Sequence, residues 1–349
     1  MPSGQSTRNQ SRFRKSEAGG RESLRLLSKG GLHMFRFSTK QKVCQIGKVK
    51  VGGQPGENPT LLLASLFQKG DKFVESRKEK KFDKKGAKEA ILNQEKLSKE
   101  TGIPAIVSMV ANSGDEMKAY LDFFLSVTDM PFAIDMWMLK PRLEATRYVA
   151  ELGLMDRLLY NSITPWSQDL KSEVAEIKEL GVKHVVMVVF DQEDQMPTGR
   201  IKSLKSLLEC IKGSGIENIL VDTSVMNLPA TAMSLRANYM VKEQFGLPAG
   251  CASANGTYMW KEPKELWGRE GFIGLDAATH AISSILWSDF LFYGPISGAQ
   301  WVFPAVASAN AILGTLVFGE TEELPENKLY PLNKLFPDFA NQLAKIVSK

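Results

Sequence analysis

Four polar residues close four short apolar runs of this chain. Asp135 ends FAID, Asn161 sits in LLYNS, Asp222 ends ILVD, and Asn255 closes LPAGCASAN. Carboxylates only accept hydrogen bonds, whereas carboxamides both donate and accept. Two of each, brought together, suit a flat, nitrogen-rich heterocycle whose edge alternates donors and acceptors. They do not suit a metal ion, because neither His nor Cys accompanies them. His33, His184, His280, Cys44, Cys210 and Cys251 are scattered and lack zinc-ligand spacing.

Whether the four meet depends on the elements that carry them. Eight apolar, β-branched-rich runs recur at 60–66, 105–110, 132–136, 157–162, 184–190, 218–224, 247–252 and 290–295. Continuous apolar runs without alternation suit parallel strands buried on both faces. Helical stripes lie between them, such as Met117, Tyr120, Leu121 and Phe124, or Leu170, Val174 and Ile177, or Ile201, Leu204, Leu208 and Ile211. Pro104, Gly153, Gly181, Gly215 and Gly246 punctuate the helix-to-strand returns. Eight strand–helix units predict an α/β fold, a (β/α)8 TIM barrel. The rival doubly wound sheet wants a phosphate-binding glycine loop after its first strand. SLFQKGD stands there instead. In a barrel, the carboxyl ends of the third, fourth, sixth and seventh strands place Asp135, Asn161, Asp222 and Asn255 at one mouth.

A reduced pterin has the matching edge: a 2-amino group, N1, N3–H and a 4-oxo group. Asp222 can accept from the 2-amino group and N3–H together, with Asp135 on the adjacent edge. Asn161 and Asn255 suit N1, N8–H or the 4-oxo group, and a carboxamide near N5 tolerates both the methylated and the free amine. Each residue also has a plainer role, since strand-end Asp caps helices and Asn stabilises turns. Their sharing four strands of one barrel favours a site.

Other candidates read as structural. His184 starts the fifth strand, at the end away from the mouth, and Cys251 has no activating base nearby in sequence. Gly294 to Gly298 reads as a turn rather than a phosphate loop. The charged segment Lys69 to Lys85 reads as a solvated loop and helix start, with a partner-docking rim as the alternative. The long connection Ser253 to Leu275 is expected to be a loop. Its Tyr258, Trp260 and Trp267 serve either as a contact surface or as a small satellite core.

Composition narrows the function classes. The chain has 349 residues, 43% of them hydrophobic, and a formal charge of +5. Residues 1–33 carry seven Lys or Arg and two Asp or Glu, which accounts for all of that excess. The remainder is balanced, which argues against a nucleic-acid surface. No apolar run approaches the roughly 20 residues of a membrane span. Three separated Cys residues suit a reduced, cytoplasmic protein. The expected organisation is a disordered extension or mis-assigned start over 1–33, a barrel over 34–319 and an appendage with one final helix over 320–349. Gly30-Gly31-Leu32-His33-Met34 could be encoded by a ribosome-binding site and start codon, so translation is expected to begin at Met34.

MFRF at Met34, IGKVKVGGQPGENPT, FAID, RLLYNSI, LVDTSV, LRANYMVKEQFGLPAGCASAN and DFLFYGPISGAQWVFPAVA keep one order from Met34 to about Ala307. This pattern resembles the H-subunit family of tetrahydromethanopterin S-methyltransferase, with its bacterial methyl-corrinoid:tetrahydrofolate methyltransferases of glycine betaine metabolism. The resemblance implies a pterin-binding barrel in which Asp135, Asn161 and Asp222 hold the ring. It places Asn255 near N5, with Asn255 and Asp135 as the catalytic candidates. It further implies methyl transfer between N5 of tetrahydrofolate or tetrahydromethanopterin and a corrinoid such as methylcobalamin, carried on a small corrinoid protein. A homodimer and docking to a membrane methyltransferase complex are part of that picture. Trp137, Trp166, Tyr258 and Trp260 are expected to form an apolar rim facing the corrinoid. The chain departs from the family at Met136-Trp137-Met138, at Gly70-Asp71 and at Ser253-Ala254-Asn255, where a small polar residue, Gly-His and a His before the Asn are usual. Two other readings are a non-catalytic scaffold that docks a corrinoid protein, and a dihydropteroate synthase-like enzyme. The latter should offer Lys or Arg near strands seven and eight, where Lys261 and Lys264 stand without a convincing motif.

Overall fold

An antiparallel hairpin, β1 (Val43–Ile46) and β2 (Val49–Gly52), plugs one end of a closed barrel. The computed structural model describes residues 34–167 and 169–347, so the expectations for residues 1–33 lie outside the described residues. The first barrel strand, β3 (Leu61–Leu66), is followed by a second hairpin, β4 (Val74–Ser76) and β5 (Lys81–Phe82). The other barrel strands are β6 (Ala105–Val110), β7 (Phe132–Asp135), β8 (Leu158–Ile163), β9 (His184–Val188), β10 (Asn218–Asp222), β11 (Ala249–Cys251) and β12 (Phe290–Pro295). They pair in chain order, all parallel, and β12 returns to β3. This is a (β/α)8 barrel, and each expected strand run is present.

The sequence forms this barrel because alternate residues of each strand face two different apolar environments. Leu63, Ala133, Leu159, Val186, Leu220 and Phe292 point inward and pack on Cys44, Ile46, Val49 and Val51 of the plug. Their neighbours, such as Leu62, Ile134, Tyr160, Val185 and Val221, point outward under the helices. Burying each Leu, Ile, Val or Phe among them contributes about 1.5–3 kcal/mol. Two residues beyond the inward layer, the side-chain period of 2 brings the next inward positions to the open end. Asp135 follows Ala133 in this way, Asn161 follows Leu159, and Asp222 follows Leu220.

Buried polar groups lock the closed end. Lys242 Nζ donates to both carboxylate oxygens of Asp289 (2.7 and 2.8 Å) and to Gly53 O (3.0 Å). His184 Nδ1 lies 2.8 Å from Asn218 Nδ2 at this same end, in keeping with a structural role.

Four expectations are corrected. The charged segment after β3 is an ordered hairpin, because Phe73 and Phe82 are buried and Phe82 packs edge-on against Phe67 and Tyr120. The connection after β11 is helical, Ser253–Met259 and then Pro263–Ile285, although Ser, Asn and Gly favour turns. Tertiary contacts override that preference: Thr257 Oγ1 donates to buried Asp276 (2.6 Å), as does Trp301 Nε1 (2.8 Å). The C-terminal appendage holds two helices, Pro331–Leu335 and Pro337–Val347, because Tyr330, Leu332 and Ala340 bury against Ala311. Finally, the helical stretch Ile296–Thr321 is long and apolar enough, by length and composition, to cross a membrane. Of its 18-residue apolar window, 61% is buried against neighbouring elements, as in a core helix.

Candidate functional site

The open end of the barrel holds a cavity of about 910 Å³ lined by Asp135, Asn161, Asp222 and Asn255 together. Asp135 and Asn161 are register partners on β7 and β8, which sets them side by side on the cavity wall. Asp222 ends β10, two strands further round. Asn255 comes from the first turn of helix Ser253–Met259 and is exposed at the mouth. Ser65, Val188, Phe292 and Gly294 complete the inner wall. Gly294 has φ +80°, and a Cβ there would stand 3.0 Å from Ala254 Cβ. A larger residue would therefore press on the helix that carries Asn255.

None of the four caps a helix. The helices after β7, β10 and β11 have no side-chain cap bond, and Asp169 caps the one after β8. Among the described residues, Asp135, Asn161 and Asn255 make no side-chain hydrogen bond. Asp222 Oδ1 accepts from Ser224 N (2.8 Å), which orients the carboxylate. Burial pushes the Asp135 carboxyl up to about 6, with nearby Arg142 lowering it and Asp222 raising it. Burial likewise pushes Asp222 up to about 6, opposed by the Ser224 amide and Arg200. Two carboxylates held in this way are short of donors, and a ligand edge rich in N–H groups supplies them.

Behind each carboxylate lies a buried arginine that the sequence pattern did not reveal. Arg142 donates to Met136 O (2.7 Å), Tyr160 Oη (2.8 Å) and Glu173 (2.7 Å). Arg200 donates to Thr223 O (2.5 Å) and Ser224 O (3.2 Å). Each guanidinium grips the backbone just after a strand-end Asp without occupying the carboxylate. In sequence both sit in helices with nothing to distinguish them from surface arginines. Ser65 and Gly294 were legible in principle, lying two residues beyond inward Leu63 and Phe292.

The expected rim is brought together only in part. Trp137, Trp166 and Tyr258 line the cavity. Trp260 does not: it packs edge-on against Trp267, with ring centroids 5.5 Å apart. Tyr258 likewise packs edge-on against buried Phe272, while Trp267 stays 53% exposed. Cys251 is buried and its thiol is pushed up to about 11 by burial, in keeping with a packed thiol. Residues 296–298 form a single 3₁₀ turn.

A family model described as Tetrahydromethanopterin S-methyltransferase MtrH subunit matches residues 39–321. The chain belongs to this family. It is 33% identical to the tetrahydromethanopterin S-methyltransferase H subunit of Methanopyrus kandleri over 302 residues, covering 80% of this chain and 93% of the relative. The corresponding H subunit of Methanosarcina mazei is 31% identical over 322 residues, covering 86% of this chain and all of the relative. Among solved structures, dihydropteroate synthase of Xanthomonas albilineans with 4-aminobenzoic acid superposes with a TM-score of 0.56 at 12% identity, covering 78% of this chain and 98% of that one. The Yersinia pestis synthase with a pterine-sulfa conjugate gives 0.53, also at 12% identity and with the same coverage of both chains. At that identity the likeness is one of fold. As a member of the MtrH family, the chain is a methyltransferase subunit with a TIM-barrel body.

Proposed function

We propose that this methyltransferase subunit moves a methyl group between N5 of a tetrahydropterin and the cobalt of a corrinoid on a small partner protein. The observation that carries this is the convergence of Asp135, Asn161, Asp222 and Asn255 on one cavity, in a chain of the MtrH family. The pterin is tetrahydrofolate or tetrahydromethanopterin. The same proposal includes a cytoplasmic homodimer that can associate with a membrane methyltransferase complex.

Asp222 accepts from the pterin 2-amino group and N3–H, and Asp135 takes the adjacent edge. Asn161 bonds an edge acceptor, while Asn255 stands by N5. Asn255 accepts from the free amine or donates to its lone pair, directly or through a water, so it serves either methylation state. Among the described residues lining the cavity, the cations are Lys69 and Arg142, and the Arg142 guanidinium is engaged by Tyr160, Met136 and Glu173. No strong acid stands ready for N5, so the side chains act by positioning and by oriented dipoles. The corrinoid on its partner protein supplies or accepts the methyl group. Asn255 and Trp137 are exposed at the mouth, which leaves a bound pterin reachable from outside.

The convergence of the four side chains speaks against a scaffold that has lost its pterin. The synthase-like reading lacks its pyrophosphate cations: Lys264 lies over the Tyr258 and Phe272 rings, and Lys261 does not line the cavity. The test is a visible-absorbance assay with methylcobalamin and either tetrahydropterin. Loss of the methylcobalamin spectrum together with formation of the N5-methyl pterin is the expected result. Pterin binding without transfer, even with a cognate corrinoid protein, would replace catalysis by the scaffold reading.

A further inference from the structure

Lys69 brings a positive charge to a cavity whose other charged groups are already accounted for. Among the described residues that line it, those are Asp135, Asp222 and Arg142. Arg142 is held by Met136, Tyr160 and Glu173. Lys69 is exposed and makes no hydrogen bond or ion pair with any described residue. Nor does it neutralise the two carboxylates. The charges that act on Asp135 are Arg142 and Asp222, and the one that acts on Asp222 is Arg200. Gln68 lines the cavity beside Lys69, half-buried, and its carboxamide has no partner among the described residues. An ammonium and a carboxamide at adjacent positions offer several donors to one anion.

The turn that carries the two is tightly bonded. Phe67, just before them, has φ +64°, a left-handed conformation rare for a bulky residue. Its N–H donates to Asp71 Oδ2 (2.8 Å), its carbonyl accepts from Arg77 (2.5 Å), and its buried ring stacks on Tyr120 with centroids 4.0 Å apart. Arg77 in turn pairs with buried Glu116 at 2.7 Å. The Asp71 N–H donates to Gln68 O (3.0 Å) and closes the turn. The backbone under Gln68 and Lys69 is therefore set before a ligand arrives, which lowers the ordering cost of binding.

Position in the barrel narrows the anion. Round the mouth the strands run β10, β11, β12, β3, β6, β7, β8 and β9. Asp135, Asn161 and Asp222 ride on β7, β8 and β10, whereas Gln68 and Lys69 follow β3, two or three strands from each of them. A pterin that turns its 2-amino and N3–H edge toward the first group has C6, at the far end of the bicycle, toward the second. Asn255 agrees with this orientation: it follows β11, and N5 is the ring atom next to C6. The cavity of about 910 Å³ is near the upper end of the range of about 300–1,000 Å³ for whole drug-sized ligands, so a bicyclic ring leaves room for a side chain on C6.

We propose that Lys69, helped by Gln68, binds a carboxylate on the C6 side chain of the pterin, as in the glutamyl tail of tetrahydrofolate. This rests on the pterin reading above, and it makes Lys69 a residue that selects among tetrahydropterins by the charge of their tails. The pair forms at an exposed mouth, so its contribution is modest and screened by salt.

The test compares two probes by calorimetry on the full chain at low salt: tetrahydrofolate, whose tail carries carboxylates, and 6-methyltetrahydropterin, which has no tail. Lys69→Met keeps the length of the side chain without its charge and is expected to weaken tetrahydrofolate binding by roughly threefold to fivefold. Lys69→Glu, which sets like charges together, should weaken it by roughly tenfold. Lys69→Arg should stay within about twofold of wild type, and all three variants should bind 6-methyltetrahydropterin within about twofold of wild type. Added salt should weaken tetrahydrofolate binding to wild type more than to Lys69→Met. Equal losses for both probes, or no loss for either, would overturn the tail site while leaving the pterin site standing. Slower methyl transfer with a corrinoid protein at unchanged tetrahydrofolate affinity would assign Lys69 to the partner protein and also overturn it. Failure of wild type to bind either probe would remove the pterin reading itself, and the tail site with it.

Discussion

Asp135 and Asn161 are hydrogen-bond-register partners across β7 and β8, so an acceptor-only group and a donor–acceptor group lie side by side at the mouth. Neighbouring positions of a parallel pair face the same way, and strands lie about 4.8 Å apart. One ring edge can therefore meet both. Asp135→Ala and Asn161→Ala should each weaken pterin binding several-fold, and the double variant should lose less than the sum. Calorimetric titration of the double-mutant cycle measures this. Strict additivity would mean that the two never share a ligand.

Asp222→Ala should weaken pterin binding by more than tenfold, because it strands the ring donors in a buried setting. Wild-type affinity in that variant would remove Asp222 from the site.

The two carboxylates also make the free protein sensitive to pH. In the unfolded chain each carboxyl titrates near 3.8, whereas in the folded chain burial raises both Asp135 and Asp222 to about 6. Between these values the folded state keeps protons that the unfolded state has lost. Stability contributed by this pair is therefore present below pH 4 and declines as pH rises through 6. Asp222→Asn, which cannot ionise, should melt above wild type at pH 7.5, with the difference vanishing near pH 4. The same variant should bind pterin poorly, as expected where a site is strained for function. Thermal scans across pH 4–8 test the sign, and a variant that melts below wild type at pH 7.5 would contradict it.

Asn255→Ala should separate binding from chemistry. Asn255 touches the reacting end of the pterin under the proposed function, whereas Asp135, Asn161 and Asp222 hold the other edge. Methyl transfer from methylcobalamin should fall by roughly a hundredfold, the scale for losing one oriented polar group in a reacting site. Pterin affinity should change by less than threefold. A parallel loss of affinity would make Asn255 a binding residue only.

Lys242→Met tests the closed end without touching the mouth. It leaves the buried Asp289 carboxylate without its cation and frees Gly53 O. Breaking such a pair costs about 3–5 kcal/mol, readable in urea unfolding, while pterin affinity in the folded variant stays at the wild-type value.

Local pattern was enough to specify the barrel and three of the polar residues that line its open end. Continuous apolar runs report burial on both faces, and a strand end reports proximity to the mouth, so Asp135, Asn161 and Asp222 were legible in the chain as written. Their register, and the layer of Arg142 and Arg200 behind them, came only with the packed fold. A buried ion pair joins residues as far apart as Arg142 and Glu173, and no local pattern marks its two halves. The same holds for helix Ser253–Met259, whose turn-forming residues are held helical by Asp276 from a later helix. Trp260 was expected at the rim together with Tyr258, but two residues along the chain were enough to turn it onto Trp267. Spacing in sequence specifies which element a residue rides on. Packing between elements specifies which way it faces, because that choice is settled by the free energy of burying a neighbour that the local sequence does not contain.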